Sequence, residues 1–194
     1  MTDDSSLEYQ LIGHASSEGG PFLLADARAA AAWRGTETEA ADATSDYDRA
    51  CAALPEVVGA TAQMSVGGLA AMVWDFGPGT VDIWRHEDRL LVCEWALMPK
   101  GSRRAFTPIP SSAELVGRVE IQGRWLVLVW APEDLQPINE QERQDGQSIG
   151  WAVDGSGILA EVAPGTYECF VFMQVHDRIP ERRLYLRLVV PLDR

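Results

Sequence analysis

The residues of this chain with the clearest chemical potential are three cysteines, three histidines and one acid set in an apolar run. They are Cys51, Cys93 and Cys169, then His14, His86 and His176, and Glu94. A thiol beside an imidazole makes a nucleophile, and such pairs meet in space rather than in sequence. Cys51 with His14 or His176 is the pair that would do so. Glu94 stands inside Leu90-Leu91-Val92-Cys93-Glu94-Trp95. A buried acid needs a partner or a raised pKa, so Glu94 reads either as a general acid or as an acid tied to an arginine or a backbone amide. No Cys or His pair has metal-ligand spacing. Gly155-Ser156-Gly157 lacks the lysine and the following helix of a phosphate loop, and no GxSxG elbow occurs. No metal or cofactor is expected. The plainer reading of the same groups, buried thiols and solvated imidazoles, carries more weight.

Seven tryptophans stand at 33, 74, 84, 95, 125, 130 and 151. Stacking of sugars on exposed indoles would make a small-ligand-binding β module. Most of these residues sit in apolar strand-like runs, where packing is the default use of an indole. Trp33 and Trp151 are the two expected at the surface.

Composition narrows the classes. The chain has 194 residues, 46% of them hydrophobic, enough for a substantial core. The net charge is -13. Such a field repels nucleic acid and anionic membranes and favours encounter with a basic partner. No apolar run is long enough to span a bilayer. The start, Met1-Thr2-Asp3-Asp4-Ser5-Ser6, is unlike the basic and apolar opening of a secretory signal, so a cytoplasmic location is expected. Unpaired cysteines fit that compartment.

The elements that must position these groups are mostly β. The expected class is α+β, mainly antiparallel β, with two short N-terminal helices and β-hairpins forming one or two packed sheets. Asp26 caps an alanine-rich helix over Ala27 to Trp33, ended by Gly35. Ser45 caps a second, with Asp46 and Asp48 in its first turn and Pro55 closing it. Strands are expected over 69–74, 80–84, 89–95, 116–121, 124–130, 158–162, 166–176 and 184–190. Gln122-Gly123 predicts a two-residue hairpin. Arg89 to Trp95 is apolar on both faces, as a central strand would be. The strand from Thr166 to His176 is expected to be the longest. A single domain of residues 1–194 is expected, or two lobes, 9–98 and 113–194, joined by a connector at 99–112. No internal repeat is legible.

Several blocks occur in a telling order: Gly19-Gly20-Pro21 with Leu23-Leu24, then Trp33 and Gly35, then Ser45-Asp46-Tyr47, Arg49-Ala50-Cys51 and Gly59. Strands around Trp74 and Trp84 and the Glu94-Trp95 pair continue the series. In this order the chain resembles the immunity protein 21 family of bacterial polymorphic toxin systems, over residues 9–98. The resemblance implies a protein that neutralises a cognate toxin in the producing cell, by covering it and without catalysis. It also implies that the shared motifs hold the fold. The toxin-facing surface must then come from the residues themselves. If the toxin is basic, acidic loops should meet it: Asp75, Glu87 and Asp88, and Glu133, Asp134, Glu140, Glu142 and Asp145. Phe76, Phe106 and Trp151 are the expected apolar anchors.

Overall fold

The computed structural model describes residues 9–38, 40, 43–57, 59–75, 77–87, 89–94, 110–135, 144–149, 155–176 and 179–191. Strands β1 (Gln10–Ser17) and β2 (Phe22–Asp26) lead into helices α1 (Ala27–Ala30) and α2 (Asp46–Ala53). Strands β3 (Thr61–Val66), β4 (Leu69–Trp74), β5 (Gly79–His86) and β6 (Arg89–Glu94) follow. The second half holds β7 (Glu114–Ile121), β8 (Trp125–Trp130), β9 (Ser148–Ile149), β10 (Gly157–Glu161), β11 (Gly165–His176) and β12 (Ile179–Pro191). Trp95 and residues 99–109 of the expected connector lie outside the described residues.

The strands form two antiparallel six-stranded sheets, in the orders β1-β5-β6-β12-β11-β7 and β3-β4-β2-β8-β10-β9. Alternating side chains from both sheets fill the space between them, as in a face-to-face sandwich. Phe22, Leu24, Met72, Trp74, Leu126, Leu128 and Ile158 come from one side. Val81, Ile83, Leu90, Val92, Ile121, Tyr167, Leu184 and Leu186 come from the other. The mainly antiparallel β class with two short helices is thus the observed one. Strand β6 lies between β5 and β12 and is apolar on both faces: Leu90 and Val92 join the inter-sheet core, while Leu91 and Cys93 pack outside with Trp84, Phe172 and Tyr185.

Three expectations need correction. Strands β7 and β8 do not form a hairpin. β7 pairs with β11 in one sheet, and β8 pairs with β2 and β10 in the other. Val119 and Ile121 face the core from one side and Leu126 and Leu128 from the opposite side, so the chain must cross between sheets at Gln122-Gly123. The carboxylate of Asp26 accepts the amides of both corner residues, at 2.9 Å each. The first helix is also shorter than expected, ending at Ala30 before a turn. The longest strand is β12, with 13 residues against 12 in β11.

Each sheet takes three strands from each half of the chain, and the two strand orders share a hidden twofold pattern. Replacing β1–β6 by β7–β12 in turn reverses both orders and leaves them unchanged. The pattern is centred where Leu91 faces Tyr185 and where Leu24 faces Leu128. Its details repeat. β1 is bulged between Leu11 and Gly13 against β5, and β7 is bulged between Leu115 and Gly117 against β11. A Cβ on Gly13 would lie 2.3 Å from the Ile158 methyl, and one on Gly117 2.5 Å from the Met72 sulfur. Ile158 and Met72 hold matching positions, opposite Leu128 and Leu24. Both glycines are therefore notches through which a side chain of the other sheet closes the sandwich edge. Pro78-Gly79-Thr80 and Pro164-Gly165-Thr166 open β5 and β11, with both glycines at φ 154.

Cysteines 93 and 169 are buried free thiols, and Cys51 is exposed. Burial pushes the Cys169 thiol up to about 12, and burial with the nearby Tyr185 pushes the Tyr9 hydroxyl up to about 12. The unfolded chain loses these protons first. Their stabilisation is full below pH about 9 and is lost as pH rises from there through about 12. Urea midpoints should therefore fall steadily across that alkaline window, and Cys169→Ala should flatten the fall. A midpoint independent of pH in this range would refute the burial argument.

Candidate functional site: an acidic cap on the second sheet

The outer face of the second sheet is apolar: Leu23, Ala25, Val73, Val127, Val129 and Leu159 point away from the inter-sheet core. Such a face must be covered. Described residues from two segments cover it, 27–60 between β2 and β3 and 131–147 between β8 and β9. They are matching connections in the twofold pattern, yet they differ in length and structure. The first brings Ala27, Ala30, Trp33 and Ala50 onto the sheet; the second brings Ala131 and Leu135.

The two segments are stitched to each other. The Trp33 indole N–H donates to the Ala131 carbonyl at 2.8 Å. The Leu135 amide donates to the Trp33 carbonyl, and the Thr36 amide to the Pro132 carbonyl, at 3.1 and 3.2 Å. Gly35, at φ 54, turns the chain so tightly against Pro132 that a Cβ there would sit 2.0 Å from the carbonyl oxygen. Arg34 approaches Asp134 at 3.6 Å, and its amide donates to the Asp46 carboxylate at 2.7 Å. The Tyr47 amide donates to the Gly35 carbonyl, which docks the start of α2 on the first turn. Ser45 and Asp48 form a reciprocal capping box there, and Asp46 also pairs with Arg49.

The motif residues therefore sit at structural joints. The Tyr47 ring lies against Gly20, where a Cβ would be 2.6 Å from its hydroxyl. Burial, then the hydrogen bond with Cys51, pushes that hydroxyl up to about 12. The Gly19 carbonyl accepts the Trp130 indole N–H at 2.6 Å, and the Gly59 amide donates to the Asp75 carbonyl. Pro21 is buried, and its carbonyl accepts the Ala131 amide at 2.9 Å.

Electrostatically the cap is acidic: among the described residues its two segments hold seven acids against three bases. Glu37, Asp48 and Glu56 are exposed, and Asp134 is half-buried. Glu37 and Glu56 went unnoticed as sequence candidates because nothing local distinguishes them from other surface acids.

Other sequence candidates fall elsewhere. Trp33, expected at the surface, is 1% exposed, because its indole spans the gap to Ala131. Glu133 is also 1% exposed, so its carboxylate is not part of the molecular surface. Asp75 closes its own turn by accepting the Gly77 amide at 2.9 Å. Glu87 is exposed in the β5–β6 turn, and Asp145 binds Arg85 at 2.7 Å and the Glu161 amide at 2.9 Å. Phe76, Asp88, Glu140, Glu142, Phe106 and Trp151 lie outside the described residues.

The groups considered for catalysis are dispersed. Cys51 lies on α2, against the outer face of the second sheet, whereas His14 lies on β1 in the first sheet, opposite Asp82. The side chain of His176 lies outside the described ones. Asp82 also faces Cys93, so imidazole, carboxylate and thiol share one cross-strand row. The thiol there is 0% exposed, closed in by Trp84, Leu91, Phe172 and Tyr185. Glu94 is half-buried and accepts the Arg182 amide at 3.4 Å, the backbone-tied arrangement. Among the described residues no group of three Cys, His, Asp or Glu could hold a metal ion, and no helix is long and apolar enough to cross a membrane.

No protein-family model, curated protein or solved structure matches this chain.

Proposed function

We propose that this protein is an immunity protein, which binds a cognate toxin in the producing cell and silences it by covering it. The observation that carries the reading is the acidic cap. A double-sheet frame supports two unequal segments stitched edge to edge, whose described residues hold seven acids against three bases. Fixed acids on a preorganised surface speed encounter with a basic partner and lower the ordering cost of the complex. The resemblance of its sequence blocks to the immunity protein 21 family supports it too, since Gly20, Gly35, Asp46 and Tyr47 serve the fold and leave exposed acids such as Glu37 and Glu56 free to vary. The partner is a protein toxin with a basic surface, met by Glu37, Asp48, Glu56 and Asp134.

Co-expression tests this. The chain should rescue growth of cells making the toxin encoded beside its gene and should co-purify with it at fixed ratio. Failure to rescue from, or bind, the product of any adjacent gene would refute the reading.

A further inference from the structure

The twofold pattern builds the same sheet end twice, with different side chains at the two corners. In the first half the Tyr47 ring lies on the Gly20 corner and near Asp75. In the second half the corresponding corner, Gly123-Arg124, borders an open groove of about 770 Å³. That volume suits a small organic molecule. The groove has apolar walls from Leu90, Val162 and Tyr167, and three arginines line it: Arg28, Arg85 and Arg124.

Those arginines are not a generic property of the frame. The position matching Arg85 is Val171, opposite Leu184 as Arg85 is opposite Leu90. The position matching Arg124 is Gly20. Glu87 and Glu161 also line the groove and Asp145 pairs with Arg85, so the groove is locally balanced in a chain of net charge -13. Arg85 is held in place by the Glu161 carbonyl at 3.0 Å and the Asp145 carboxylate at 2.7 Å. Arg124 pairs with Glu161, but its side chain is 70% exposed. A pair so exposed is worth at most about 1 kcal/mol, and an incoming anion can compete with it.

We propose that this groove binds a small organic anion, with its carboxylate or phosphate head on the arginines and an apolar body against Leu90, Val162 and Tyr167. Guanidinium groups suit such heads because they donate paired N–H bonds to two oxygens. The groove takes Arg28 from the covering segments but none of Glu37, Asp48, Glu56 or Asp134, so it stands or falls independently of toxin binding.

The full chain should be titrated with phenylacetate, phenyl phosphate and the neutral 2-phenylethanol while amide NMR shifts are followed. Saturable shifts at Gly123, Arg124 and Val162 are expected with at least one anion and not with the alcohol. Saturation by one anion alone identifies the head group. In Arg28→Ala/Arg124→Ala, whose altered side chains are both exposed, affinity should fall at least about tenfold. The proposal is overturned if neither anion saturates by about 10 mM, if the alcohol binds equally well, or if the double variant binds as the parent does.

Discussion

Replacing Asp26 by alanine is expected to destabilise the protein by about 4 kcal/mol or more, the largest loss from any single polar side chain described. Asp26 is 1% exposed and accepts four backbone amides. One carboxylate oxygen takes the amides of Arg28 and Ala29, at 2.7 and 3.1 Å, and so starts α1. The other takes those of Gln122 and Gly123 and so fixes the crossing from β7 to β8. Hydrogen bonds to a charged group contribute about 1.5–3 kcal/mol each, and deleting the acceptor strands buried donors. The four are not additive, because they share one group. Asp26→Asn keeps one oxygen and should lose about half as much. Urea unfolding measures both, and a loss under about 1 kcal/mol in Asp26→Ala would contradict the role given to this residue.

Trp33→Ala should cost about 3–5 kcal/mol. The indole is fully enclosed against the second sheet, and its N–H bond to Ala131 joins the two covering segments beside the backbone bonds of Leu135 and Thr36. The variant should therefore lose toxin binding even at temperatures where both sheets remain folded. Trp33→Phe separates the contributions: it keeps much of the packing, drops the bond to Ala131 and should cost about 1–2 kcal/mol. Denaturant unfolding together with amide exchange of residues 27–60 tests this. Equal protection of the cap in Trp33→Ala and in the parent would refute it.

Local signals in the sequence suffice where local physics decides the outcome. Ser45 caps α2 because its hydroxyl accepts the Asp48 amide three residues on. The two-sided apolar pattern of β6 reports its central place directly. Strand partners are a different matter. Gln122-Gly123 has the composition of a hairpin turn, but whether the flanking strands pair depends on β2, β10 and β11, remote in the chain. Trp33 looked like an exposed helix end because its acceptor, Ala131, is 98 residues away. The repeat was hidden for a related reason. β1 and β7 have the same alternation of exposure along all eight residues, but only Leu11 with Leu115 and Gly13 with Gly117 are identical. What the halves share is a pattern of burial and two notches, which many sequences satisfy. The cap was partly legible through its motif residues. Its acids after β8, Glu133, Asp134 and Asp145 among them, were legible as loop acids, whereas Glu37 and Glu56 were not set apart, since charge becomes a surface only once distant segments are laid side by side.

The acidic cap is the face proposed to meet the toxin. Glu37→Lys/Glu56→Lys tests it most directly, because both side chains are exposed on the cap. The double variant should melt as the parent does while binding the toxin encoded beside its gene at least about tenfold more weakly, with a slower and less salt-sensitive association. Unchanged affinity and unchanged salt dependence in a folded double variant would contradict it.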